Sequence, residues 1–259
     1  MNPGPYGVLF DIDDTLIDFS GAARNALLDV AAAFGSAPDV GERMLLSWAA
    51  VSDVQYERFL SGELTFDDML VARMAAVIDE MDPAGTLELD AAPLEELRNT
   101  SIFTHYAQFD DVAAALERFR ADGAAIAVLS NADGPYQRRK MAAAGLADFI
   151  DGAVFSGDLG VAKPDPGIFL AGAASLGLPP ERVVYVGDRW ATDAIGALRA
   201  GLAAVWLNRD GAGRPHGAQD AVASIPGASA RLAEVTGLDV VDGALARELL
   251  TGQAASRML

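Results

Sequence analysis

Cysteine is absent from the 259 residues, which removes disulfides, thiolate nucleophiles and sulfur metal ligands together. Histidine is almost absent: the two histidines, His105 and His216, lie far apart and neither sits in a histidine-ligand motif. A zinc site is therefore not expected, and any metal would be held by oxygen. Basic side chains number 19 against 37 acidic ones, and the formal charge of −18 repels polyanions. Nucleic acid polymers and anionic membrane surfaces are thus not expected partners. No Gly-rich loop ends in Gly-Lys-Ser/Thr, so a motor driven by nucleoside triphosphates is not expected. No apolar run reaches the roughly 18 to 20 residues of a membrane span. The opening Met1-Asn2-Pro3-Gly4-Pro5 lacks a basic segment followed by an apolar one, so the expectation is a soluble, cytoplasmic protein.

What the chain does have is material for a core, with 51% hydrophobic residues. Its first apolar run, Tyr6 to Phe10, reads as a buried strand that stops at Asp11-Ile12-Asp13-Asp14-Thr15. On an extended backbone side chains alternate faces, so Asp11 and Asp13 can point into one cavity while Ile12 packs. Ser20 then reads as the N-cap of an Ala-rich helix to Phe34, with Leu27, Val30, Ala31 and Phe34 on one face and Gly35 closing it. A second helix is expected from Asp39 to about Leu60, and a third from a Thr65 cap to Met81. After the break at Asp82-Pro83-Ala84-Gly85 a fourth runs over Ala92 to Asn99. No strand is expected between Leu16 and Gln108, so an all-helical insertion of about ninety residues follows the first strand, enough for a small domain.

From Asp110 onward helices and strands alternate. Helices are expected over Asp111 to Arg120, Tyr136 to Ala144, Pro166 to Leu176 and Ala191 to Ala200, and strands over Ala124 to Leu129, Ala153 to Phe155, Val183 to Val186 and Ala203 to Leu207. Such alternation predicts an α/β fold with a doubly wound parallel sheet, buried by helices on both faces. Residues 1–17 and 106–259 would form this core and residues 18–105 the helical domain. Arg209 to Gly217 reads as a Gly-rich loop, and the segment from Ala221 adds a helix or two.

In open α/β sheets ligands gather at the carboxyl ends of the strands. Standing there are Asp11 and Asp13, then Ser130 with Asn131, then Asp188 with Asp193 five residues on, while Lys163 lies in the loop Gly160 to Pro166 ahead of a helix. Taken singly, each has an ordinary reading. Asp14 or Thr15 can cap a turn, Ser130 a turn or helix, Asp188 and Asp193 a helix start, and Lys163 can be an exposed loop lysine. Taken together, Phe-Asp-Ile-Asp-Asp-Thr-Leu at 10–16, Leu-Ser-Asn at 129–131, Lys163-Pro164 and Gly-Asp-Arg-Trp-Ala-Thr-Asp at 187–193 resemble, in order, the four motifs of the haloacid dehalogenase superfamily of hydrolases.

The resemblance implies a Rossmann-like core with a helical cap domain, and magnesium-dependent hydrolysis of a small phosphate monoester. Under it Asp11 is the nucleophile that forms an aspartyl-phosphate, and Asp13 is the general acid/base. Asp11, Asp188 and the backbone carbonyl of Asp13 are the magnesium ligands. Ser130, Asn131 and Lys163 bind phosphate, and Asp193 and Thr15 support the site from behind. These roles agree with the chemistry. A phosphate dianion is repelled by an attacking carboxylate unless positive charge lies between them, and oxygen donors suit magnesium. The insertion between the first two motifs resembles the branch that holds phosphoglycolate phosphatases, sugar-phosphate phosphatases, 2-haloacid dehalogenases and certain nucleotidases. Within it Trp48, Phe59 to Thr65, Gly160 to Pro164 and Trp206-Leu207-Asn208 look most like the pyrimidine 5′-nucleotidases or N-acylneuraminate-9-phosphatases. A lid there would limit the partner to a small phosphorylated metabolite such as a nucleoside monophosphate, a sugar phosphate or phosphoglycolate.

Arg24, Trp48, Tyr56 and Arg58 are helical-domain residues that could reach such a substrate, although side chains of these kinds also pack or snorkel. His105 reads as a structural hydrogen-bonding group. The alternatives on the same fold are a 2-haloacid dehalogenase, a phosphomutase and a non-catalytic phosphate-binding module. A halide leaving group needs no proton, so Asp13 argues for phosphate esters.

Overall fold

A computed structural model describes residues 4–33, 38–82, 84–85 and 89–253. The chain divides into two compact units, Met1–Asp18 with Gln108–Leu259, and Phe19–Ala107. The second unit is helical: α1 Phe19–Ala33, α2 Pro38–Leu60, α3 Phe66–Met81 and α4 Ala91–His105. Leu27, Val30, Met44, Met74 and Val77 form its core. Helix α1 begins at Phe19, so Ser20 lies inside the first turn and not before it; the expected Phe34 and Gly35 fall outside the described residues. Thr65 caps α3 by accepting from the Asp68 backbone N–H at 3.1 Å. Helix α4 runs beyond the expected Asn99 because buried Ile102 completes a stripe with Leu94 and Arg98 at four-residue spacing. Burial of that stripe outweighs the weak helix preference of Asn99-Thr100-Ser101.

The first unit holds six parallel strands in the order β3-β2-β1-β4-β5-β6. They are β1 Gly7–Phe10, β2 Ala125–Ser130, β3 Gly152–Phe155, β4 Val183–Gly187, β5 Ala203–Leu207 and β6 Leu232–Val235. The accompanying helices are α5 Val112–Ala121, α6 Gly134–Ala143, α7 Ser156–Leu159, α8 Pro166–Ser175, α9 Gly196–Arg199, α10 Ala218–Ala223 and α11 Gly243–Leu250. Strand β6 was not expected: it has four residues with Glu234 among them, and its pairing with β5 makes it a strand.

The order reverses between β1 and β4, which makes that boundary the switch point of the sheet. Phe10 of β1 lies level with Val128 of β2 and Val186 of β4, so the residues that follow each strand emerge side by side. The expected helix from Ala191 to Ala200 opens instead as a wide π turn, Trp190–Ile195, that tightens into α9. One more feature sets how the layers fit. A Cβ on Gly172 of α8 would stand 2.7 Å from a Leu9 methyl and 3.0 Å from a Leu129 methyl, so the absence of a side chain lets α8 lie on the sheet.

Gly172→Val is accordingly expected to destabilise the protein by about 1–3 kcal/mol through overpacking, a loss larger than the few tenths gained in helix propensity. Urea denaturation checks it, with an unchanged midpoint as the contrary result.

Candidate active site

Lys163 is the centre of the arrangement. Its side chain is only 4% exposed, and its ammonium meets Asp11 Oδ1 at 2.9 Å, Asp193 Oδ1 at 2.8 Å and the Tyr185 hydroxyl at 2.8 Å. An ammonium has three hydrogens, so all are used. The reading of Lys163 as an exposed loop lysine does not hold. Tyr185 passes its own hydrogen to the Leu129 carbonyl at 3.2 Å.

Three local devices hold these groups in place. The Asn131 amide grips the backbone of Lys163 from both sides, accepting from its N–H at 2.6 Å and donating to its carbonyl at 2.9 Å. Asn131, expected on phosphate, is thus engaged in fixing the lysine loop, because one planar amide can pair with both groups of a facing residue. In the π turn, Asp193 folds back so that Oδ2 accepts from the Arg189 N–H at 2.9 Å. A Cβ on Gly187 would stand 2.5 Å from that same Oδ2, so only glycine fits beneath Asp193. The bulky Trp190 packs edge-to-face on Trp206 at 5.0 Å, and the Trp206 indole donates to the Asp188 carbonyl at 2.7 Å.

The turn after β1 is equally well tied. Leu16 and Ile17 both donate to the Ile12 carbonyl at 2.9 Å, and Asp14 sits at φ 56°, left-handed backbone that Asp tolerates better than most residues. Thr15 Oγ1 lies 3.4 Å from Asp188 Oδ1. Its carbonyl accepts from Arg209 at 2.8 Å, and Arg209 also pairs bidentately with Asp111 at 2.9 and 3.0 Å. Asp13 faces a different partner set: Lys140 Nζ at 2.6 Å on Oδ1 and Gln137 Nε2 at 3.0 Å on Oδ2. Ser130, buried, accepts from the same Gln137 nitrogen at 2.9 Å.

Carboxylate oxygens of Asp11, Asp188 and Asp193 lie within 4.8 Å of one another, close enough to hold a metal ion. Asp193 comes into this group where the sequence pointed to Asp13. The Asp13 carboxylate is engaged by Lys140 and Gln137, whereas its expected contribution is a backbone carbonyl. Because Lys163 and the Arg189 N–H already take both oxygens of Asp193, Asp11 and Asp188 are the carboxylates best suited to a cation.

The electrostatics agree. Burial, reinforced by Asp193 and opposed by Lys163, raises the Asp11 carboxyl to about 7. Burial and then the charges of Asp11, Asp193 and Asp14 raise Asp188 to about 8. Burial would lower the Lys163 ammonium, but the charges of Asp11 and Asp193 outweigh it and hold the group well above its ordinary range. One ammonium does not balance this many carboxylates. An oxygen-only donor set short of positive charge fits a hard divalent cation.

Sequence reasoning missed Lys140, Gln137 and Tyr185. A signal existed for Tyr185, since a phenol inside an apolar strand needs a polar partner. For Gln137 and Lys140 the signal was their i,i+3 spacing on the helix after Ser130. The helical-unit residues have these contacts within their own unit. Trp48 carries the guanidinium groups of Arg73 and Arg98 over its ring, at 4.1 and 5.1 Å from its centre. Tyr56 packs near Phe59, Arg58 pairs with Glu63 at 2.6 Å, and Arg24 is exposed. His105 contacts Asp29 at 2.7 Å. No helix among the described residues is long and apolar enough to cross a membrane.

Residues 7–201 match the family model described as haloacid dehalogenase-like hydrolase. The chain is similar to the glyceraldehyde 3-phosphate phosphatase of Methanopyrus kandleri, 34% identical over 206 residues that cover 78% of this chain and 83% of that protein. It is also similar to human N-acylneuraminate-9-phosphatase, 31% identical over 206 residues, 79% of this chain and 83% of that one. Among solved structures, the HAD-hydrolase YfnB from Bacillus subtilis bound to magnesium superposes with a TM-score of 0.72 at 22% identity, covering 93% of this chain and 99% of that chain.

Carboxyls raised in the folded state bind protons more tightly there than in the unfolded chain. Stability is therefore lost as pH rises from the unfolded value near 4 through about 7 for Asp11 and about 8 for Asp188. Chelator-treated protein is expected to melt at a lower temperature at pH 8 than at pH 5.5, added magnesium to raise the melting temperature more at pH 8, and Asp188→Asn to flatten both trends. Thermal melting checks this, and equal magnesium stabilisation at the two pH values would contradict it.

Proposed function

The chain belongs to the haloacid dehalogenase-like hydrolases, and from that premise we propose that it hydrolyses small phosphate monoesters through an aspartyl-phosphate on Asp11. The observation that carries the reading is the pair of raised carboxylates, Asp11 and Asp188, at the switch point of a parallel sheet, with a single buried ammonium facing the first of them. A site with this charge imbalance suits joint occupation by a cation and a phosphate dianion. The named phosphatases among its relatives support the same substrate class.

In this reading Asp11 and Asp188, with the backbone carbonyl of Asp13, would hold magnesium. When bound it offsets the repulsion between the nucleophile and the incoming phosphate. An Asp11 oxygen attacks phosphorus, the bond from phosphorus to the ester oxygen breaks, and the departing alkoxide takes a proton from Asp13. Water then attacks the phosphorus of the acyl phosphate and gives a proton back to Asp13. The bond from phosphorus to the Asp11 oxygen breaks, which restores the carboxylate and releases inorganic phosphate. Ser130 and Lys163 hold phosphoryl oxygens, Lys163 turning to the phosphate the hydrogen it otherwise gives Asp11, while Asp193 and Tyr185 aim it and Asn131 fixes the loop that carries it. Thr15 acts through its contact with Asp188. The helical unit leaves the core sequence at Asp18 and returns at Gln108, and we assign it the selection of a small metabolite.

A panel of phosphomonoesters (nucleoside monophosphates, sugar phosphates, glyceraldehyde 3-phosphate, phosphoglycolate and an acylneuraminate 9-phosphate) tests the proposal by phosphate release. Magnesium-dependent turnover is expected, with Asp11→Asn lowering kcat by about a thousand-fold or more. Phosphate release from no ester, or full turnover by Asp11→Asn, would overturn it, and a haloacid substrate would be assayed next.

A further inference from the structure

Helix α6 buries a polar face, and that face ends on the group assigned above as acid and base. We propose that Lys140 and Gln137 are positioning residues that set the orientation of the Asp13 carboxylate and of the Ser130 hydroxyl for proton transfer to the leaving group. The proposal rests on the phosphatase reading and adds residues outside the four motifs.

Lys140 follows Gln137 by one helical turn, so both project from the same face of α6. The helix is started by Asp133, whose side chain accepts from the Tyr136 N–H at 2.9 Å. Gln137 has no exposed surface and the Lys140 side chain is 3% exposed. Burying an ammonium and an amide opposes folding unless each is matched, and apolar residues would serve packing better.

The matches found are specific. Lys140 Nζ holds Asp13 Oδ1 at 2.6 Å, while the Gln137 amide nitrogen shares its two hydrogens between Asp13 Oδ2 at 3.0 Å and Ser130 Oγ at 2.9 Å. Both oxygens of Asp13 are thereby located, and the carboxylate is not free to turn about its last bond. Gln137 Oε1, by contrast, is buried without a hydrogen-bond partner. The opposite amide orientation would press that carbonyl oxygen against a carboxylate, so Asp13 itself dictates how Gln137 is turned. The orientation that leaves this acceptor unpartnered is the one that serves both Asp13 and Ser130.

Two consequences follow for the chemistry. Lys140 draws charge onto Oδ1, leaving Oδ2 as the oxygen on which the proton travels. Ser130, accepting from Gln137, keeps its own hydroxyl hydrogen to donate to a phosphoryl oxygen. A carboxyl that must meet a departing alkoxide depends on such alignment. A leaving group that departs readily as an anion depends on it far less.

The test is therefore the dependence on leaving group, read as kcat/KM, which reports only the steps up to departure of that group. Lys140→Met and Gln137→Met are compared with wild type on an alkyl phosphate and on p-nitrophenyl phosphate, with folding checked by circular dichroism and melting. Each variant is expected to lose about 10- to 100-fold more kcat/KM on the alkyl ester than on the aryl ester. Lys140→Arg is expected to recover part of the difference. Gln137→Met changes no charge, so it carries the test should Lys140→Met fail to fold. Equal losses on both esters, or no loss on either, with wild type active, would overturn the positioning role and leave the phosphatase reading standing. A wild type that cleaves neither ester would overturn both.

Discussion

A buried ammonium among carboxylates is the constraint on which the core unit depends. Lys163 lies where Asp11, Asp193 and Tyr185 all reach it, and water does not compete for its hydrogens. Ion pairs in such surroundings gain from the low local polarity only when the geometry is good and every donor is matched, and removing one partner leaves a stranded charge. Much of the local structure therefore reads as support. Asn131 fixes the lysine backbone, Gly187 gives Asp193 room, and the π turn swings that aspartate back over the end of β4. An insertion that widens a helix by one residue is a common device where a side chain must be aimed at a site.

Residues placed by strand ends could be read from the chain. Asp11, Ser130 and Asp188 stand where apolar runs stop, and the parallel order of β2, β1 and β4 makes those stops neighbours. Lys163 and Asp193 were found because they lie in short motifs with fixed partners. Gln137 and Lys140 escaped notice for a physical reason: on an amphipathic helix a polar face is normally the wet one, and only tertiary packing turns it inward. The family resemblance put Asn131 on phosphate, and its amide, complementary to a peptide backbone, meets that of Lys163. β6 shows the same limit, since a four-residue segment becomes a strand through the neighbour it pairs with, a long-range fact that composition does not carry.

The helical unit illustrates how polar groups can serve a core. The guanidinium groups of Arg73 and Arg98 both lie over the Trp48 ring, and Arg98 also meets Glu95 at 2.5 Å. Trp48, one of the side chains that could reach a substrate, is thus engaged with arginines of two neighbouring helices, as rings and guanidinium groups are when water is excluded.

The family match ends at residue 201, before β5 and everything after it. Yet the carbonyl of Thr15, in the turn that carries Asp13, is held by Arg209, whose guanidinium sits over the Phe109 ring at 3.9 Å. Asp111 fastens that arginine and also accepts from the Leu238 N–H at 2.7 Å. The last fifth of the chain is thus a splint for the turn that carries Asp13. A chain trimmed to residues 7–201 would keep all four motifs and still lose the brace on the first of them.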